Sequence, residues 1–211
     1  MRELRLLTEL AQLVLMPDKI KQQLSDLQEE NSNLVINYRE MIRSQLFFIQ
    51  NELRELYSSR VVEYLLFPII AHLDEKSKRF LNQHSISLKW HDLQIEFFQR
   101  SDGGEYVFSI LEEVVTNKVY PQICYELALI VLKDGFLGKY YQNPHDSERC
   151  QYLNKLKKIL AEFNAFSDAT DDVNNMQQKT SVSVKVKNPQ KMMILSAAIL
   201  CILPLSIYLL S

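Results

Sequence analysis

His72, Asp74 and Glu75 come closest to a reactive group: an imidazole and two carboxylates within a single helical turn. In a helix His72 and Glu75 stand three apart and share a face, so the trio could bind a metal ion or pass a proton. Two ligands on one face do not make a metal site. Paired acids that end an apolar helix more commonly bond to neighbouring helix termini or to a buried Arg, and that structural role is expected here. His84 and His91 lie seven apart across a predicted loop–helix junction, which leaves their mutual geometry undefined. Gly103-Gly104 could cradle an anion at a helix N-terminus, but Glu105 in the first turn would repel it, so capping is the better account. Cys124, Cys150 and Cys201 are scattered. An odd count without Cys-x-x-Cys spacing is neither a disulfide framework nor a zinc site, and fits a reducing compartment. No P-loop, Gly-x-Gly-x-x-Gly or Gly-x-Ser-x-Gly pattern occurs. No catalytic residue, no cofactor, no metal ligand and no small-molecule substrate is therefore expected.

The elements that would position these residues are helices. Only four glycines occur, as Gly103-Gly104 and Gly135/Gly138, too few for the turns of a sheet protein of this size. Apolar residues at helical spacing predict a first helix over Glu3–Met16, stopped by Pro17, and a second, more polar one over Asp18–Glu30. The strongest stripe runs from Asn33 to Tyr57: Leu34, Tyr38, Ile42, Leu46, Ile49, Leu53 and Leu56, widened by Phe47 and Phe48. The run Val61–Leu73 suits a central buried helix with Pro68 marking a kink or a start. It is expected to stop at Asp74-Glu75, followed by a polar connection from Lys76 to Lys89 with a short helical piece around Lys78–Asn82. A short helix is predicted around Trp90–Gln99. Asp102 and Glu105 read as a capping box before a helix facing inward through Val107, Ile110, Leu111 and Val114. Pro121 suits the first position of the next helix, which buries Ile123, Leu127, Ile130 and Val131 and stops at Gly135. A last helix covers Asp146–Phe163, with Leu153, Leu156, Leu160 and Phe163 inward. The fold class is all-α.

Charge narrows the partners. The chain of 211 residues has a formal net charge of −2, but every acid lies at or before Asp172. Up to that point 20 basic side chains face 26 acidic ones, a net charge of −6. Nucleic acid is thereby a poor partner, since phosphate contacts need clustered Lys and Arg. Three parts are read: residues 1–166 as a helical body, 167–191 as a polar Lys-bearing linker, and 192–210 as a membrane span. The span, Met192–Leu210, is nineteen residues without a charge, about 28 Å as a helix and close to the hydrocarbon thickness of a bilayer. Lys185, Lys187 and Lys191 crowd only its N-terminal flank, which predicts a cytoplasmic body and a C-terminus across the membrane. Pro204 is tolerable inside such a span. Ser196, Ala197, Ala198 and Cys201 form a small-residue patch that could let a second helix approach. The N-terminus carries Arg2, Glu3, Arg5 and Glu9 among its leucines and does not read as a signal peptide.

Several spacings taken together resemble a known family. Asp74-Glu75 follows an apolar helix, Trp90 precedes LQIEFFQRSDGGEYVF, and Pro121 precedes YELALIVLKDGFLGKYY. In that order they resemble the DotU/IcmH/TssL family, the tail-anchored inner-membrane subunit of type VI secretion systems and of the related type IVB systems. The resemblance covers roughly Asn33 to Leu160 and the anchor. The matching positions are Asp74, Glu75, Trp90, Gly103, Gly104, Glu105, Phe108, Pro121, Glu126, Gly135, Phe136, Gly138, Lys139 and Tyr140. The chain departs from the pattern at Leu66-Phe67, where the family usually has Arg-Tyr, and at Phe97-Phe98, where it has Phe-His. Lys133-Asp134 replaces an apolar pair and Tyr141 replaces an Arg. These departures bear on polar networks built on the missing Arg or His, not on the fold, and resemble a divergent branch like the short DotU proteins of intracellular pathogens.

The resemblance implies a cytoplasmic hook of two small three-helix bundles. It implies a non-enzymatic scaffold beside a large IcmF/TssM-type inner-membrane partner and, in complete systems, an outer-membrane lipoprotein. It further implies docking of the cytoplasmic baseplate and self-association partly through the anchor. No peptidoglycan-binding domain is expected beyond Ser211. A SNARE-like tail-anchored adaptor is the reading from a different class, but it would show heptads running into the span.

Overall fold

The computed structural model describes residues 2–180, and all regular structure among them is helical. The order is α1 (Arg2–Ile20), a 3₁₀ turn (Lys21–Gln23), α2 (Gln28–Leu56), α3 (Ser59–Gln83), α4 (Leu93–Phe98), α5 (Gly103–Asn117), α6 (Gln122–Lys133), a second 3₁₀ turn (Gly138–Tyr140) and α7 (Ser147–Thr180). The helices through Phe166 form one compact unit, and Ser167 onward falls in another. Lys185, Lys187, Lys191, Ser196, Ala197, Ala198 and Cys201, with the predicted span itself, lie outside the described residues. Among the described residues no helix is long and apolar enough to cross a membrane.

The first unit is organised around α3, which packs against α1, α2, α4, α5 and α6. Every residue from Leu65 to Asp74 is buried. A helix buried through almost three turns on all sides must be enclosed by others, as its unbroken apolar run dictates. The predicted inner stripes of α2 and α5 are buried from Tyr38 to Leu53 and from Val107 to Val114.

Several boundaries differ from the sequence-based expectation. Pro17 does not stop α1, and Pro68 neither starts nor ends α3; both helices run through their prolines. The predicted helix over Asp18–Glu30 is broken, because the Asn31 amide bonds the backbone N–H and C=O of Ser25 at 2.9 and 2.8 Å and closes a turn there. Asp74-Glu75 lies inside α3, which continues to Gln83 in place of the expected polar connection. Its last turns stay helical because Ser77 and Leu81 still face the core. Pro121 is the N-cap of α6, one position earlier than expected. At the other end Gly135, at φ +95°, closes a Schellman turn: Phe136 N–H bonds Val131 O at 3.2 Å and Gly135 N–H bonds Leu132 O at 3.3 Å. Phe48 does not widen a core stripe; its ring is 56% exposed. Helix α7 extends to Thr180, well beyond the predicted end at Phe163 and into the segment read as a linker.

Candidate functional site

Asp74 is 1% exposed and has no lone role. Its Oδ1 accepts Trp90 Nε1–H at 2.7 Å and Leu93 N–H at 2.9 Å, and its Oδ2 accepts Gln94 N–H at 2.9 Å. Leu93 and Gln94 open α4, whose own N-cap, Asp92, makes no side-chain cap. A carboxylate on α3 thus does from a distance what a local cap does for most helices. Burial pushes the Asp74 carboxyl up to about 6, while the three donors pull the other way.

Glu75 does the same for another segment. Its carboxylate accepts Leu137 N–H at 3.1 Å and Gly138 N–H at 2.8 Å, at the start of the second 3₁₀ turn, and pairs with Arg79 one turn on. The two acids point to different segments because adjacent residues on a helix are about 100° apart. The Asp-Glu pair therefore pins α4 and the Gly138 turn to one rod.

The glycines complete this junction through space rather than through torsion. Gln94, positioned by Asp74, accepts the Gly103 N–H on its Oε1 at 2.8 Å. A Cβ on Gly103 would lie 2.3 Å from that oxygen and 3.0 Å from the Ala71 Cβ. A Cβ on Gly138 would lie 2.6 Å from Gly104 O, and Gly138 also holds φ +49°. The two glycine pairs meet here, so α5 can approach the Gly138 turn closely. Asp102 does not form the expected capping box; its carboxylate binds Arg100 at 2.6 and 2.9 Å, and Gln94 takes over at Gly103.

Beside the junction Phe108 packs with Phe136, Tyr140 and Tyr152, at ring-centre distances of 5.9, 4.7 and 5.7 Å. Lys139 lies over Phe108 at 5.4 Å and reaches Glu148 at 3.5 Å. Glu105, Phe108 and Lys139 share the wall of an open groove of about 540 Å³ with Glu112 and Glu113. Glu126 stands apart, on the outside of α6, bonded to Gln122 at 2.8 Å. Of the departures, Leu66 and Phe67 are buried, and Phe67 packs edge-on against Phe98 at 5.2 Å and Tyr106 at 4.8 Å. Lys133 and Tyr141 are exposed.

His72 belongs to a different group from the acids that follow it. It is fully buried and bonds Asp134 Oδ2 through Nε2 at 2.7 Å. Lys76 meets the same oxygen at 2.7 Å and Asp18 of α1 at 2.8 Å. Burial opposes ionisation of Asp134, but the bonds from His72 and Lys76 hold its carboxyl below the usual range. This network ties α1, α3 and α6 together, and it gives the Asp134 departure a partner. The His84 ring packs tilted against Phe80 at 4.7 Å and His91 offers its carbonyl to Arg39 at 3.0 Å, so the histidines do not converge. Among the described residues no group of three or more His, Cys, Asp or Glu side chains is arranged to hold a metal ion.

Sequence reasoning passes over Gln94, Lys76, Asp18 and Arg149. Arg149 on α7 is buried and donates to Leu132 O at 2.7 Å and Phe136 O at 3.0 Å, satisfying the C-terminal end of α6. A single Arg on the apolar side of an amphipathic stretch is its only trace in the sequence.

The family model "Type VI secretion system protein DotU" matches residues 7–211. The solved structure of DotU from Francisella novicida superposes with a TM-score of 0.63 at 33% identity, over 72% of this chain and 97% of that one. The crystal structure of SciP/TssL from enteroaggregative Escherichia coli 042 gives a TM-score of 0.50 at 18% identity, over 71% of this chain and 86% of that one, a likeness of fold. No curated protein sequence matches the chain. With its carboxylate junction, its meeting glycine pairs and a match over nearly its whole length, the chain belongs to the DotU family of type VI secretion system proteins.

Proposed function

We propose that the protein is a non-enzymatic structural subunit of the inner-membrane complex of a type VI secretion system. In this reading it holds the cytoplasmic baseplate beside a large IcmF/TssM-type partner. Residues 1–166 serve as the cytoplasmic hook, read as two small three-helix bundles. Residues 167–191 link it to the membrane, and 192–210 anchor it with the N-terminus cytoplasmic and the C-terminus periplasmic. The observation that carries the reading is the use of the Asp-Glu pair. The Asp74 and Glu75 carboxylates are occupied by backbone and indole N–H groups at segment starts, which is the work of a rigid platform rather than of an acid–base pair. The description of the matching family favours the type VI system over its type IVB counterpart.

Purification from membranes in mild detergent, followed by identification of the co-purifying proteins, tests it. A large IcmF-type membrane protein is expected, with baseplate proteins in substoichiometric amounts. Recovery of no such partner would overturn the proposal.

A further inference from the structure

Trp90, whose indole N–H is held by Asp74 at 2.7 Å, also closes a small internal cavity. Among the described residues its other walls are Pro17 and Ile20 of α1, Val35 and Tyr38 of α2, and Ser77 and Phe80 of α3. The cavity is about 10 Å³, and Ile20, Val35, Tyr38, Ser77 and Trp90 around it are each no more than 7% exposed. Two hydroxyls stand in these walls, Tyr38 Oη and Ser77 Oγ, and neither has a hydrogen-bond partner in the protein. An unpaired buried hydroxyl is costly enough that folded proteins nearly always supply a partner. No other side chain of the described walls can supply one. Those of Ile20, Val35 and Phe80 are apolar, Pro17 has not even a backbone N–H, and the single donor of Trp90 is taken by Asp74. The two hydroxyls are neighbours. Burial pushes the pKa of the Tyr38 hydroxyl up, and Ser77 pulls it the other way.

We infer that this cavity is a binding site for one ordered water, which bridges the Tyr38 hydroxyl of α2 and the Ser77 hydroxyl of α3 beside Trp90. Size, chemistry and position select this occupant. A cavity of about 10–15 Å³ measured in this way holds a single water, and nothing larger fits. A buried water needs between two and four polar partners, and each hydroxyl both donates and accepts, so the two together meet the need. A hard cation is excluded by the same walls, since it takes six or more oxygens, commonly with carboxylates among them. Cavities that stay dry are lined by hydrocarbon alone, and this one is not. Position gives the water its role. Ser77 lies three residues after Asp74, on the same face of α3. Asp74 fixes Trp90 and the start of α4 to α3 directly. The water ties α2 to the next turn of α3, and the Tyr38 ring itself packs on Trp90 at a centre distance of 6.3 Å. Trp90 is thus held from α3 by a carboxylate and from α2 by a hydrated tyrosine. The junction at the Asp-Glu pair thereby extends to α2, through a residue that reads in the sequence as one more member of an apolar stripe.

The test uses the full chain in mild detergent. A crystal structure at a resolution that shows ordered water has a density peak within about 3 Å of both Tyr38 Oη and Ser77 Oγ. The double variant Tyr38→Phe/Ser77→Ala loses that peak while its helices stay in place. Chemical denaturation gives the second readout. Tyr38→Phe alone and Ser77→Ala alone each strip the water of a partner, and each lowers the folding equilibrium constant by about tenfold. The double variant loses no more than either single one, because a dry apolar cavity contains no unpaired group. A direct bond between Tyr38 and Ser77 with no peak beside it overturns the inference, and so does a peak that persists in the double variant. Losses from the two single variants that add in the double one also overturn it, since independent hydroxyls share no water.

Discussion

Asp74 shows how much one side chain can organise. It is a charged acceptor placed inside the body for three donors that water cannot reach, and Gln94 passes its influence on to Gly103. Replacing it by Asn turns one acceptor into a donor that faces N–H groups. Asp74→Asn is expected to lower the unfolding free energy by about 3 kcal/mol at pH 7, measured by chemical denaturation. The effect has a defined pH dependence. The folded carboxyl titrates at about 6 and the unfolded one at about 3.9. Between these values the native state holds the proton and the unfolded state has lost it, so this group's contribution falls as pH rises through the window. The margin of wild type over Asp74→Asn is therefore widest below about pH 4, narrows towards pH 6 and is flat above it. A margin that grows from pH 4 to pH 6 would contradict the burial argument.

Helix ends are where the elements of this protein are joined. The start of α4 is capped from α3, the start of α5 from α4, and the end of α6 from α7. Each cap comes from another element, so each secures tertiary structure as well as the helix it terminates. Arg149 is the clearest test. Arg149→Met keeps the aliphatic bulk but removes the side-chain donor from the Phe136 carbonyl and leaves the Leu132 carbonyl with the Gly135 N–H alone. A loss of about 2 kcal/mol is expected. Hydrogen exchange should rise first in the last turn of α6 and in the segment Gly135–Tyr140, ahead of α3. Uniform exchange across the body would place the effect of Arg149 elsewhere.

At the scale of the whole molecule the proposed function assigns the apolar run of residues 192–210 the task of holding the body at a membrane. Its 19 residues carry no charge, and the lysines before it favour a cytoplasmic body. Full-length protein should sediment with membranes and resist extraction at high pH. Removal of residues 192–210 should move it to the soluble fraction with the helical spectrum of the body intact. Retention of the shortened chain on bare lipid vesicles would show that the body has a membrane contact of its own.

The all-helical class, the central position of α3, the inner faces of α2 and α5 and the family motifs were legible in the sequence. They follow from local periodicity, glycine scarcity and residue order, which one strand of text carries in full. Helix boundaries at prolines were less so: Pro17 and Pro68 lie inside helices because packing on the apolar faces outweighs one lost N–H bond each. The partners of the motif residues were not legible at all. Nothing local tells that Asp74 reaches the start of α4, that Asp134 answers His72 and Lys76, or that Gly104 lies against Gly138. These pairs are separated by between 20 and 62 positions in the chain, and only the packing of helices around α3 brings them within bonding distance. The sequence by itself determined which residues are unusual, because type and spacing are local. The tertiary structure alone decided what they hold, because a buried donor or acceptor takes its partner from whichever element the core places beside it.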